Sequence, residues 1–158
     1  MNLGTVLAAV WLYLPAYFAN AAPVALGGGP PLDGGEKWLD GKPFLGSHKT
    51  FRGCVVGIAA GLLIGTLQGN LYAGLAQGFG AIIGDLLSSF LKRRWDLAPG
   101  DGFPILDQLD FIITAIIISQ PYTRASFQEM IIILVVTVPI HYFMNFIAWV
   151  TKMKENPW

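Results

Sequence analysis

The chain has 158 residues, of which 54% are hydrophobic and 13% charged, with a formal net charge of zero and a mean hydropathy of +0.55. A soluble domain carries about 25% charged residues, so this composition excludes an ordinary water-soluble globule and indicates an integral membrane protein. Cys54 is the single cysteine, which excludes a disulfide framework and a thiolate metal site.

In chain order, Met1 to Leu32 contains no Asp, Glu, Lys or Arg, and it reads as a first membrane span over about residues 3–26. "ANAA", ending at Ala22, resembles a signal-cleavage site. The basic residues that precede a signal's apolar stretch are missing, and the apolar stretch is too long. The next segment, 27–52, is rich in Gly and Pro, which opposes a long helix, and it is too short to bury a core of its own. A second charge-free run, Gly53 to Gly84, predicts spans over 53–73 and 74–92, with the boundary blurred by Gly near 70–76. A short polar loop, 93–102, then leads into spans over 103–120 and 127–150. The expected fold is thus an all-α integral membrane protein of five helices, forming a single transmembrane catalytic domain over 1–158.

Five spans place the loops alternately on two sides. One side receives Lys37, Lys42, Lys49, Arg52, Lys92, Arg93, Arg94, Lys152 and Lys154, and the other receives only Arg124. This asymmetry predicts an outside N-terminus, with loops 27–52 and 93–102 and the C-terminus in the cytoplasm.

Measured from that basic surface at about 1.5 Å per helical residue, Asp85, Asp107 and Asp110 lie roughly 7–12 Å inside the membrane. Carboxylates there are costly and require a polar cavity and a partner. Asp107 and Asp110 share one helix face at i, i+3, where like charges repel unless a cation sits between them. Asp85, Ser88, Ser89 and Lys92 form one polar stripe on an otherwise apolar helix. No basic residue within the spans lies at that depth to neutralise all three Asp. Hard oxygen donors without His or Cys favour Mg²⁺, which completes its shell with water and phosphate. Lys49, Thr50 and Arg52 in "GSHKTFRG" anchor the second span, and the same residues could hold phosphate. His48 and His141 receive no role. A metal–carboxylate cluster beside cations at the level of the headgroups suits phosphate chemistry on a lipid.

"SFLKRR" followed by "APGDGFPILDQLD" resembles the signature of the membrane CDP-diacylglycerol synthases, the phosphatidate cytidylyltransferases. Gln108 stands where that family has Arg, and the family's His-Gly-Gly is missing. These departures, together with Lys49-Thr50-Phe51-Arg52-Gly53 and Asp107-Gln108-Leu109-Asp110, resemble the compact archaeal relatives, the CDP-archaeol synthases. The resemblance implies transfer of a cytidylyl group from CTP to an isoprenoid-ether glycerol phosphate lipid at the cell membrane, with the active site facing the cytoplasm. It assigns Asp85, Asp107 and Asp110 to one or two Mg²⁺ ions and to catalysis with Lys92. Lys49, Thr50, Arg52, Ser89 and Arg93 become substrate-binding. No nucleic-acid partner is expected, and a homodimer is left open. A CDP-alcohol phosphotransferase would need D-G-x-x-A-R, which is absent. An ion transporter using intramembrane Asp would place them near the midplane rather than toward one face.

Overall fold

The computed structural model describes residues 2–98 and 101–153. Pro99 and Gly100 of the motif loop, and Lys154 of the basic set, lie outside the described residues. Six α-helices make up the described part: α1 (Leu3–Leu12), α2 (Leu14–Leu26), α3 (Phe51–Leu67), α4 (Leu71–Arg94), α5 (Leu106–Thr123) and α6 (Phe127–Val150). Two isolated bridges, Pro31 with Thr50 and Lys37 with Pro43, fold the intervening polar loop back on itself.

The first span is not the single helix expected. α1 and α2 meet at a bend of 57°. Pro15 has no N–H to give the Trp11 carbonyl, which instead accepts from Gln68 Nε2 at 2.6 Å. The side-chain amide of Gln77, fully buried on α4, fills the break. Its Nε2 donates to Leu12 O at 2.9 Å and its Oε1 accepts from Ala16 N at 3.2 Å. Backbone groups orphaned inside an apolar segment thus find partners on other elements.

The turn between the second and third spans comes earlier than 73/74. α3 stops at Leu67, Gly69 takes φ +78°, and Asn70 caps α4 by accepting from Ala73 N at 3.0 Å. α5 starts at Leu106 rather than 103, because Pro104 and a positive φ at Ile105 interrupt the helix before it. α6 runs as expected and opens on a capping box formed by Ser126 and Glu129. By length and composition α4 and α6 are each able to cross a membrane, as is the bent α1–α2 pair if it counts as one span. α3 has only 17 residues, and α5 carries two Asp.

Small residues hold the bundle tight. Gly53, Gly57, Gly61 and Gly65 recur every fourth residue and form the buried face of α3. A Cβ on Gly61 would come within 2.6 Å of Gly78 Cα, and one on Gly80 within 2.7 Å of Ala115 Cα. At Gly84 a Cβ would collide with Asp110 O and Thr114 Oγ1. The α4 backbone therefore lies directly against α3 on one side and α5 on the other. Tyr17 joins α2 to the rest of the core, edge-on to Phe111 at 5.6 Å and bonded through its hydroxyl to Thr137 Oγ1 at 2.6 Å. Large apolar side chains such as Leu63, Leu67, Ile117, Val135 and Phe143 face outward, as a hydrocarbon surrounding requires.

The two ends of the bundle are tied by different contacts. At one end the 27–50 loop is fastened to the end of α4, with Lys42 Nζ 2.7 Å from Asp96 and Arg94 Nε 2.9 Å from Asp40. Arg94 also lies over the Phe90 ring at 4.5 Å. At the opposite end Asn70 Nδ2 donates to Tyr122 O at 3.3 Å, tying the α3–α4 turn to the α5–α6 turn.

Candidate active site

The site is built where α4 and α5 run side by side. With Gly84 against the Asp110 carbonyl, Asp85 and Asp110 sit on facing turns. One turn along α4 lie Ser88 and Ser89, 2% and 4% exposed, followed by Lys92 and Arg93.

Lys49 reaches into this seam from the end of the polar loop. Its Nζ donates to both oxygens of Asp85, at 2.6 and 2.7 Å. Burial works against the ammonium, yet Asp85, with Asp110 and Asp107 beyond it, holds the lysine above its usual pKa. It is therefore charged, and its contacts are with the Asp85 carboxylate. Lys92 Nζ donates to Asp107 Oδ1 at 2.8 Å, and Ser88 Oγ lies 3.5 Å from the same oxygen. Asp110 makes none of the four ion pairs found among the described residues; its Oδ1 accepts from Phe111 N at 2.6 Å.

Arg93 is 4% exposed. Its Nη2 donates to Ala98 O at 3.1 Å, while Nε and Nη1 are buried without an acceptor among the described residues. Buried guanidinium donors without partners are costly, and an anionic ligand would satisfy them.

The entrance to α5 is strained. Ile105 takes φ 69° and ψ −48°, and Leu106 N donates to Pro104 O at 2.8 Å, which closes a γ-turn. A β-branched residue there costs about 1–3 kcal/mol, a strain that persists only where the surroundings enforce it. Asp107 Oδ2 helps to hold the turn by accepting from Phe103 N at 2.7 Å. Two cavities flank it. One, of about 370 Å³, is lined by Gly102, Phe103, Pro104, Asp107, Gln108 and Tyr142. The other, of about 380 Å³, is apolar apart from Asp110 and includes Ile105, Leu109 and Ile113.

Not every expected site residue joins this group. The hydroxyl of Thr50 is engaged in capping α3, accepting from Gly53 N at 3.1 Å. Arg52 is exposed in the first turn of α3 and makes none of the ion pairs seen among the described residues. Nearby, Asp101 Oδ2 accepts from Ala98 N at 2.7 Å. Sequence reasoning missed Gln108, which is 2% exposed with Oε1 unpaired, and Tyr142, brought to the cavity by α6. It also missed Asp33, whose carboxylate binds the backbone N–H groups of Leu45, Gly46 and Gly35. Some burial opposes that charge, but the three N–H groups hold the Asp33 carboxyl below its ordinary value. Asp33 thereby fixes the loop that carries Lys49. The signal for it was an Asx-turn in "LDGG".

Three carboxylates on adjoining turns, with only oxygen donors and two ammonium groups already seated among them, form an environment that demands cations and suits a hard divalent one. As they stand, no group of three His, Cys, Asp or Glu side chains among the described residues is gathered closely enough to hold a metal. In chemistry the donor set, carboxylate and hydroxyl oxygens alone, suits a hard divalent ion.

The family described as CarS-like, CDP-archaeol synthase, matches residues 2–76 and 71–158. A protein of Thermococcus onnurineus called CDP-archaeol synthase is 41% identical over the full length of both chains. One of the same name from Pyrococcus furiosus is 42% identical over 97% of this chain and 98% of its own. A solved structure described as "Structural insight into an intramembrane enzyme for archaeal membrane lipids biosynthesis" superposes with a TM-score of 0.77 at 35% identity, covering 89% of this chain and 94% of that one.

Proposed function

This chain belongs to the CDP-archaeol synthase family, and we propose that it transfers a cytidylyl group from CTP to an isoprenoid-ether glycerol phosphate in the membrane, releasing pyrophosphate and forming CDP-archaeol for phospholipid biosynthesis. Arg93 carries this reading within the structure. A buried guanidinium with two unpaired nitrogens, beside the Lys92–Asp107 and Lys49–Asp85 pairs, is prepared for a multiply charged phosphate.

The lipid phosphate monoester is the nucleophile, and one of its oxygens attacks the α-phosphorus of CTP. A P–O bond forms there as the bond to the β-phosphate breaks, and pyrophosphate leaves with that electron pair. The nucleophile is already anionic, so no protein group need accept a proton or form a covalent intermediate. Lys49, Lys92 and Arg93 bind and orient the phosphates, and Ser89 adds a buried hydroxyl on the same helix face. Asp85, Asp107 and Asp110 would hold Mg²⁺, which would supply positive charge to offset the negative charge that develops on the phosphates during displacement. The apolar cavity beside Asp110 lets the acceptor keep its chains in hydrocarbon while its phosphate meets the cluster.

The ion-transporter reading is not favoured. Asp85 and Asp107 are each clamped by a lysine, and the site lies at the end of the bundle where the polar loop docks.

Pyrophosphate release by purified protein in detergent, supplied with CTP, Mg²⁺ and a dialkylglycerol phosphate, tests this function. Turnover should require all three and fall about 100-fold or more in Asp110→Asn. No turnover with either ether- or ester-linked acceptors, by protein shown to be folded, would overturn it.

A further inference from the structure

We propose that Lys49 and Lys92 are resident counter-ions that keep Asp85 and Asp107 closed to divalent cations until a polyphosphate draws the lysines away, so that metal and nucleotide enter the site together. This rests on the function proposed above and adds an order to it.

Both oxygens of Asp85 and of Asp107 are already committed. Lys49 Nζ spans both oxygens of Asp85 at 2.6 and 2.7 Å. Asp107 gives Oδ1 to Lys92 at 2.8 Å and Oδ2 to Phe103 N at 2.7 Å. Asp110 Oδ1 is taken by Phe111 N at 2.6 Å. An ammonium seated this close occupies the space a metal ion would need. No three acidic side chains among the described residues gather around one point.

A metal ion arriving alone would have to evict a lysine whose side chain is only 23% exposed and that faces no anion but these carboxylates. The evicted ammonium would remain beside the incoming ion, and the two would repel each other across a partly desolvated site. A polyphosphate removes both obstacles. It offers the ammonium groups new acceptors, and it arrives with more negative charge than the lysines must surrender. Arg93 supplies an anchor for it in Nε and Nη1, both buried and without acceptors among the described residues. The two lysines stand on separate elements, one on the loop before α3 and the other in the last turn of α4, so each can swing independently on its flexible four-carbon stem.

The experiment uses the full chain in detergent and follows Mn²⁺ binding by the loss of the free-ion EPR signal, in the absence of nucleotide. Wild type should bind Mn²⁺ weakly, whereas Lys49→Met and Lys92→Met should each bind it about tenfold tighter or more. Lys49→Arg, which keeps the charge, should behave like wild type. Tight, saturable Mn²⁺ binding to nucleotide-free wild type, equal to that of the Met variants, would overturn the proposal. If Lys49→Met does not fold, Lys92→Met and the wild type decide the matter by themselves. CTP binding measured by calorimetry separates the two ideas. If CTP does not bind in the presence of Mg²⁺, the cytidylyltransfer reading fails, while the Mn²⁺ comparison still judges the role of the lysines.

Discussion

Arg93 and Arg94 are neighbours with opposite duties. Arg94 spends its guanidinium on Asp40 and on the face of Phe90, which ties the polar loop to α4. Arg93 turns inward and makes none of the ion pairs found among the described residues, and its Nε and Nη1 lack hydrogen-bond acceptors there, as Arg94 Nη1 also does. Charge-assisted hydrogen bonds are worth about 1.5–3 kcal/mol each, so Arg93→Met should raise KM for CTP about 10- to 100-fold. Arg93→Lys should recover little of this, because a single ammonium cannot reproduce the planar fork. Steady-state kinetics with CTP as the varied substrate would check both. Much at this scale was legible in the sequence. The i, i+3 pair of Asp107 and Asp110 and the stripe from Asp85 to Lys92 follow from helical geometry alone, and Ser88 and Lys92 of that stripe meet Asp107. The role of Thr50 was not legible, since its hydroxyl is consumed by the first turn of α3 and the same residue type serves a cap or a ligand equally well.

Among the elements, the α4–α5 contact matters most for function because it brings Asp85 to Asp110. At Gly84 the two helices touch through backbone, and no side chain fits between them. Gly84→Ala should therefore force them apart, at a cost of about 1–3 kcal/mol in stability, and turnover should fall with it. Gly4→Ala is the control. Its Cβ would meet only Asn2 Oδ1 at 3.5 Å, and a helical Gly→Ala change there should leave Tm unchanged or slightly raised. Thermal unfolding in detergent together with the pyrophosphate assay would separate the two variants. Hydropathy made the apolar segments visible in the sequence, and "QGN" at 68–70 carried the true turn signal between α3 and α4. The broken first span was hidden because Pro15 sits within an unbroken apolar run, and its compensation comes from Gln68 and Gln77, more than fifty positions away. The γ-turn at Ile105 had no signal either, since it places a β-branched residue where Gly or Asn would be expected.

For the whole molecule, the proposed arrangement has the polar loop, the end of α4 and the start of α5 in the cytoplasm. The pairing of Lys42 with Asp96 and of Asn70 with Tyr122 at opposite ends is consistent with this alternation. In a Cys54→Ser background, Leu39→Cys, on a side chain 95% exposed in the polar loop, should react with a membrane-impermeant maleimide only when the cytoplasmic face is open. Arg124→Cys, in the exposed α5–α6 turn, should react from the other face. Labelling of both from the same side would refute the arrangement. The long-range docking of Lys42, Asp40, Arg94 and Asp96 could not be anticipated from the sequence. All four are ordinary loop or helix-end charges until the path of the loop is known.

The break between α1 and α2 bears on the order in which the protein is assembled. The Leu12 carbonyl finds its partner on α4, and the Trp11 carbonyl finds its own just past the end of α3. Both partners are synthesised well after the first span has left the ribosome. Until they arrive, those groups need water or headgroups, since hydrocarbon offers them nothing. The bent α1–α2 segment is thus completed only after the later-made α3 and α4 supply Gln68 and Gln77.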